Sequence, residues 1–481
     1  MVAHNAALAE QNPQVADMQR IFNAQRASYG LRPMPSAEER IAGLKRLRDV
    51  IVKYQDDLAD AVSQDFGHRS THETKIAEVL TSLEAVKYAL KNVKGWMKPQ
   101  KRHSGILAMP AKARVHPQPL GLVGVVVPWN YPIFLALGPL VGALSAGNRV
   151  MIKSSSFTPR LGETLRRMLA EAFAEDSVAV ITGRGEVSEA FSHMPFDQIT
   201  FTGSTNVGRT IMQNAAVNLT PVVLELGGKS PTIVHESYPM RDAAERIAFG
   251  KCWNAGQTCV APDYLLLPRG KTDEFVIAFT AQVSKMYPTL VTNADYTSIV
   301  NDKQYTRIQS YLADAREQGA RVIEINPANE RFENTRKIPP TIVIGAKPEM
   351  LIMQNEIFGP ILPILEVESL SQALEFVNAR ARPLALYYFD NDSARADYVV
   401  THTHSGATGI NDVVTHVGVD DLPFGGVGPS GMGRYHAYEG FQTYSNMKAV
   451  LERASIYSVR YILPPFNKAT HTLIKKLFLG Q

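Results

Sequence analysis

From Leu122 onward the sequence alternates short apolar runs with longer amphipathic ones, and that alternation leaves few folds open. Leu122–Val127 reads as a buried strand and Ile133–Ala146 as a helix. Arg149–Lys153 and Val178–Ile181 read as short strands, with a helix over Arg160–Ala174 between them. Gln198–Phe201 and Val222–Glu225 are strands flanking a helix over Asn206–Ala216. Apolar strands alternating with helices predict a parallel sheet covered on both faces. That is a dinucleotide-binding architecture, although a fold alone does not fix its ligand. A second alternating region runs from Thr232 to about Asn411, with strands at Tyr264–Leu267, Val322–Ile325, Ile361–Leu365 and Leu386–Phe389. Helices starting near Thr272 and Gln304 lie between the first two of these.

Two such lobes suit the size of the chain, since 481 residues exceed what a single core fills. Before them the sequence reads as helices. Ser36 and Glu39 form a capping-box pattern ahead of a stripe through Ile41, Leu44, Leu47, Ile51, Leu58 and Val62. A second stripe runs through Ile76, Leu80, Leu83, Val86, Leu90 and Val93. Neither stripe is expected to carry chemistry.

Charge and cysteine content exclude several functions. A net charge of +4 without a long basic block argues against nucleic acid as partner. The two cysteines, Cys252 and Cys259, cannot make a disulfide framework, and no metal-type Cys/His spacing is present. A reducing cytoplasm is the expected location. Met1–Gln14 is polar and lacks a signal peptide's apolar region. The apolar stretch Ile133–Ala146 carries Gly138, Pro139 and Gly142 and is too short to span a bilayer. In the tail, Leu473, Ile474, Leu477 and Phe478 share one helical face beside Lys475 and Lys476. Such a basic amphipathic end can touch a membrane, but its commoner use is packing on its own protein, which is the expectation here.

Cys259 closes the run Asn254-Ala255-Gly256-Gln257-Thr258-Cys259, and Glu225 ends the apolar run Val222-Val223-Leu224. A thiol nucleophile with a carboxylate base is the minimum kit for a reaction through a thioester. An arbitrary cysteine is more often a buried structural thiol. Here it sits in a glycine-marked turn near the junction of two α/β lobes, a favoured place for a small-molecule site. Asn130, in Pro128-Trp129-Asn130 at the end of the first strand, is a turn residue or a donor to an oxyanion. Lys153 ends the next strand and is a solvated charge or a ribose or phosphate ligand. Glu356 precedes the turn Phe358-Gly359-Pro360, where a plain surface carboxylate is the alternative. Thr202-Gly203-Ser204-Thr205-Asn206-Val207-Gly208 passes from strand to helix, so its free amides suit an anion. The same segment nearly matches a nucleotide-triphosphatase loop, but Arg209 stands where that loop needs lysine, and no aspartate-ended strand offers magnesium a ligand. Gly183-Arg184-Gly185 is a broken dinucleotide fingerprint. A non-catalytic scaffold of this fold is the remaining rival, and it has no use for Cys259, Glu225 and Asn130 together.

Taken in order, these segments resemble the aldehyde dehydrogenase superfamily. The residues that carry the resemblance are Pro128-Trp129-Asn130, Phe201-Thr202-Gly203-Ser204-Thr205, Glu225-Leu226-Gly227-Gly228-Lys229, Gly256-Gln257-Thr258-Cys259, Glu356-Ile357-Phe358-Gly359-Pro360 and Pro423-Phe424-Gly425-Gly426. Ala261-Pro262-Asp263-Tyr264 and Ser430-Gly431-Met432-Gly433-Arg434-Tyr435-His436 look like its class 3 branch. Arg321–Pro327 and Asp295–Ile299 are most similar to the bacterial coniferyl-aldehyde dehydrogenases.

The resemblance implies a Rossmann-like cofactor-binding domain over residues 1–99 plus 120–225 and an α/β catalytic domain over 226–420. An oligomerisation arm and site-closing segment would cover 100–119 plus 421–455, and a tail 456–481. It implies Cys259 as nucleophile, Glu225 as base and Asn130 as oxyanion donor. Lys153 and Glu356 would hold riboses, with Gly203 and Ser204 under the pyrophosphate. Trp129, Gly185, Val207, Leu226, Gly227 and Phe358 would line the cofactor cleft, and Tyr131 and Phe424 the substrate. The implied reaction oxidises an aldehyde to its acid with NAD or NADP and needs no metal. Aromatic aldehydes such as coniferaldehyde are the first expectation and long-chain aliphatic ones the second; a homodimer is implied. The family often has an acidic residue where this chain has Ser156, and losing that repulsion toward a 2′-phosphate is expected to admit NADP.

Overall fold

The computed structural model describes residues 10, 12–105, 108–453, 455, 458–466 and 468–480; residues 1–9 and 11 of the polar opening stretch lie outside them. β1 (Gln100–Arg102) and β2 (Lys112–Pro119) follow the N-terminal helices. β3 (Leu122–Val126), β4 (Arg149–Lys153), β5 (Val178–Ile181), β6 (Gln198–Gly203) and β7 (Val222–Leu226) come next. Then come β8 (Pro231–Val234), β9 (Tyr264–Pro268), β10 (Arg321–Glu324), β11 (Thr341–Ile344), β12 (Ile361–Val367), β13 (Ala385–Phe389) and β14 (Ala407–Ile410). β15 (Gly431–Met432) and β16 (Ser445–Glu452) close the series.

Among the described residues these strands make three sheets, ordered β15-β7-β6-β3-β4-β5, β10-β11-β12-β9-β8-β13-β14 and β1-β2-β16. The α/β architecture expected from the sequence is present. The two large sheets are mixed rather than wholly parallel, because β15 runs antiparallel to β7 and β10 antiparallel to β11. In the first sheet the chain winds outward from β3 to β4 and β5, then returns to place β6 on the other side of β3. That reversal opens a crevice beyond the carboxyl ends of β3 and β6, where open α/β sheets bind ligands. Asn130, Lys153, Gly203 and Glu225 all lie at carboxyl ends of this sheet.

Strand alternation was readable where strands are apolar throughout. In the second sheet β8, β11 and β14 are not among the strands read from the sequence: β8 begins on a proline, β11 follows a proline pair, and β14 is mostly half-exposed with a glycine inside. The first N-terminal stripe is buried from Leu44 to Val62, with Ile41 partly so, along the helix Ala37–Phe66, which starts with the Ser36–Glu39 capping box.

The second stripe is a correction. Ile76 and Leu80 are exposed, while Glu78 and Val79 are buried. The cause is a π-helical turn at Lys75–Leu80 ahead of the helix Thr81–Trp96. Its wider ring rotates the helix surface, so the apolar period no longer tracks the core. The tail is a second correction. The helix Ala469–Leu479 forms, but Leu473, Leu477 and Phe478 are 57%, 68% and 50% exposed, so that face does not pack on the body. Among the described residues no helix is long and apolar enough to cross a membrane.

Candidate active site

Cys259 is presented by a strained turn. The helix Met240–Cys252 ends, and Asn254, Ala255 and Gly256 then take φ of 50°, 51° and 70° in succession. Two non-glycine residues in left-handed conformation cost about 1–2 kcal/mol each, so the turn needs external support. Glu73 supplies part of it by accepting the Asn254 amide at 3.2 Å and the Thr297 hydroxyl at 2.9 Å. Asn254 Nδ2 donates to the carbonyls of Asn130 and Gln257, both at 3.1 Å. Gln257 Nε2 donates to Asn254 O at 3.0 Å and Ser298 O at 3.1 Å, and its Oε1 accepts from the Val300 amide at 3.0 Å. Gly256 is required: a Cβ there would lie 2.3 Å from the carbonyl oxygen of Gly359. The hydroxyls of Thr258 and Tyr131 share a hydrogen bond of 2.6 Å, which ties the Cys259 turn to the loop after β3.

Burial pushes the Cys259 thiol up to about 12, and the carboxylates of Glu356 and then Glu225 add to the shift. Glu225 is buried on β7, and neither carboxylate oxygen has a hydrogen-bond partner among the described residues. Burial therefore holds its carboxyl well above the ordinary carboxylate range, against the pull of Arg434. Once ionised, a carboxylate with raised proton affinity is a stronger acceptor, which suits general-base work. Cys252 differs from Cys259 in place: it ends a helix inside the main apolar core, and burial raises it to about 12 as well.

The expected cofactor residues fall into three groups. Glu356 folds against Gly227 and Trp129 meets Phe358 at one wall, whereas the Leu226 side chain packs toward Gly208 in the core of the first sheet. A Cβ on Gly227 would strike the Glu356 carboxylate, the Glu356 Oε1 atom has no partner among the described residues, and the Trp129 and Phe358 rings meet edge to face at 5.3 Å. Burial, with the neighbouring Asp263 charge, pushes Glu356 up to about 8. Lys153, Ser156 and Gly185 lie beyond β4 and β5. Lys153 Nζ donates to the carbonyls of Ser154 at 2.8 Å and Gly183 at 2.6 Å, and burial lowers it to about 8. Ser156 is exposed in the turn after β4. Gly203 ends β6, and Ser204 begins the helix Thr205–Ala216 without a side-chain cap, so its first amides are free for an anion. Val207 is half-exposed on that first turn. An uncapped helix start, an orphaned carboxylate oxygen and a glycine cradle fit a dinucleotide.

Of the expected substrate residues, Tyr131 lies under the guanidinium of Arg69 at 4.9 Å. Phe424 is buried, stacked on the His436 ring at 5.3 Å and edge-on to Tyr435 at 5.9 Å. Arg69 in the loop after the helix Ala37–Phe66, Glu73 in the short helix Thr71–Thr74 and Glu78 in the π turn reach the same site. Glu78 is a lone charge inside an apolar stripe, in a register that the π turn hides, and Arg69 and Glu73 precede that stripe.

A doubly lobed α/β chain with a dinucleotide crevice and a thiol at the lobe junction belongs to the nicotinamide-dependent oxidoreductases that act on carbonyl carbon. More narrowly, the chain belongs to the aldehyde dehydrogenase family, whose model matches residues 7–450, and it is an NAD(P)-dependent aldehyde dehydrogenase. It is 50% identical over 479 residues, all of both chains, to a protein of Pseudomonas aeruginosa described as a probable coniferyl aldehyde dehydrogenase. Its fold is similar to the substrate-bound state of Staphylococcus aureus AldH, with a TM-score of 0.90 at 36% identity over 96% of this chain and 99% of that one. It is also similar to a Mycobacterium tuberculosis aldehyde dehydrogenase complexed with NAD+, with a TM-score of 0.82 at 29% identity over 90% of each chain.

Proposed function

We propose that the chain oxidises an aromatic aldehyde of the coniferaldehyde type to its acid through a thioester on Cys259. The observation that carries this reading is the meeting of three elements: a thiol on a tethered turn, Asn130 tied to that turn through Asn254, and the unpartnered Glu225 carboxyl acting on the thiol. Lys153 and Glu356 would hold the two riboses of the dinucleotide, with the amides beyond Gly203 and Ser204 at its pyrophosphate. When bound, the nicotinamide accepts the hydride.

As the thiolate, its proton having passed to water, Cys259 Sγ forms a bond to the aldehyde carbon, and the carbonyl π pair moves onto oxygen as an alkoxide. Asn130 Nδ2 donates to that alkoxide, a contact that strengthens as charge develops. Departure of hydride from the carbon restores the carbonyl and leaves the acyl group on sulfur. Glu225 takes a proton from water, whose oxygen attacks the acyl carbon. The C–S bond breaks, releasing the acid and the thiolate.

The aromatic preference rests on the full-length likeness to the Pseudomonas aeruginosa protein and on the Phe424–His436 stack. The exposed apolar tail favours the long-chain aliphatic alternative. NADP acceptance rests on Ser156, which puts no carboxylate against a 2′-phosphate. A panel of aromatic and aliphatic aldehydes, each assayed with both cofactors, tests all three points. Highest kcat/KM on an aromatic aldehyde and turnover with NADP are the expected results. An aliphatic optimum, or turnover with NAD alone, contradicts the respective reading. Assembly as a homodimer through the β1-β2-β16 arm is part of the same proposal, supported by the open outer edge of β16, since long free edges are pairing templates.

A further inference from the structure

Arg69 and Glu78 form an ion pair of 2.7 Å in which both side chains are wholly shielded from solvent. Such a pair is a weak source of stability, because desolvating two charges offsets most of their attraction. Its contacts are nonetheless specific. Arg69 Nη1 donates to Glu78 Oε1 at 2.7 Å and to the Asn130 carbonyl oxygen at 3.0 Å. Glu78 Oε2 accepts the amides of Ile133 at 2.7 Å and Phe134 at 3.1 Å. The helix Phe134–Ala146 has no side-chain cap of its own, so Glu78 caps it from another part of the chain. The segment between Asn130 and Phe134 is therefore pinned at both ends by one buried pair.

The guanidinium also lies over the Tyr131 ring at 4.9 Å and the Phe66 ring at 5.3 Å, while Nε and Nη2 find no acceptor among the described residues. Tyr131 in turn bonds Thr258, the residue before Cys259. The Asn130 carbonyl is held from its other side by Asn254 of the nucleophile turn. Neither member of the pair touches substrate in this scheme. Both act on the loop that bears the oxyanion donor.

We propose that the Arg69–Glu78 pair is a positioning element, which fixes the Asn130 peptide and the Tyr131 ring so that the oxyanion donor meets the carbon bonded to Cys259. The inference rests on the reading of Asn130 as that donor. Displacing a reacting group by about 1 Å costs up to a hundredfold in rate, so the effect falls on turnover rather than on substrate affinity.

A double-mutant cycle tests it. Arg69→Met with Glu78→Gln removes both charges together and leaves no lone buried ion. On coniferaldehyde with NAD, this pair of changes is expected to lower kcat about tenfold to a hundredfold with KM nearly unchanged. Alkylation of Cys259 by iodoacetamide should keep its rate, which reports an intact nucleophile turn. Added to Asn130→Ala, the same changes should lower kcat little further. Losses that multiply, or unchanged kcat in the Arg69→Met, Glu78→Gln enzyme, would overturn the inference while leaving Asn130 in its role. Unchanged kcat in Asn130→Ala alone would remove that role, and the inference with it. Should the paired variant fail to fold, Arg69→Lys keeps the ion pair but lacks the planar fork. It should show the same loss in kcat alone, absent in the Asn130→Ala background; wild-type kcat in Arg69→Lys would contradict the proposal.

Discussion

Burial raises the proton affinity of both the Cys259 thiol and the Glu225 carboxyl, and their chemistry follows from that. Because burial pushes the thiol up to about 12, alkylation of the cofactor-free enzyme by iodoacetamide should accelerate steadily between about pH 7 and 10. A plateau in that window would mean a thiolate already formed. Glu225 accepts a proton only above its raised value, so turnover is lost as pH falls through a point well above 4.5, and an acid limb near 4.5 would contradict the assignment. Glu225→Gln should release one burst of reduced cofactor and then turn over at least about a hundredfold more slowly; undiminished steady-state turnover would remove it as base. Cys252→Ala should keep its activity while Cys259→Ala loses it and still binds cofactor, and the reverse pattern would transfer the nucleophile. The sequence distinguished these two cysteines by the turn around one of them. It could not reveal that Glu356 acts on the thiol ahead of Glu225, because that depends on a side chain folding against Gly227.

The nucleophile turn is the element on which the site is built. Gly256→Ala would add the cost of a left-handed alanine, about 1–2 kcal/mol, to a collision with the Gly359 carbonyl. A lowered melting temperature and loss of oxidation are expected, and a wild-type melt would show that the turn has room to relax. The elements legible in the sequence include β3 to β7, β9, β10, β12, β13 and the helix Ala37–Phe66. Where period and burial part, the reading failed. The π turn at Lys75–Leu80 exposes Ile76 and Leu80 and turns Glu78 inward, and periodicity assumes a regular helix. The tail helix has the right period but no surface of the body beneath its apolar face.

The molecule brings together three regions far apart in sequence: the N-terminal helices, the crevice of the first sheet and the first turns of the second lobe. Motif order along the chain disclosed the last two, whereas the contribution of Arg69, Glu73 and Glu78 exists only once the lobes are packed. A homodimer formed through the arm predicts a solution mass by light scattering of twice 53.0 kDa, and a stable 53.0 kDa species would contradict it. The whole account depends on the sulfur of Cys259 carrying the acyl group between oxidation and hydrolysis. Glu225→Gln enzyme, quenched in acid after mixing with coniferaldehyde and NAD and mapped by peptide mass spectrometry, measures this directly. The account predicts the acyl mass on the peptide that contains Cys259; acyl mass on another residue, or on none, contradicts it.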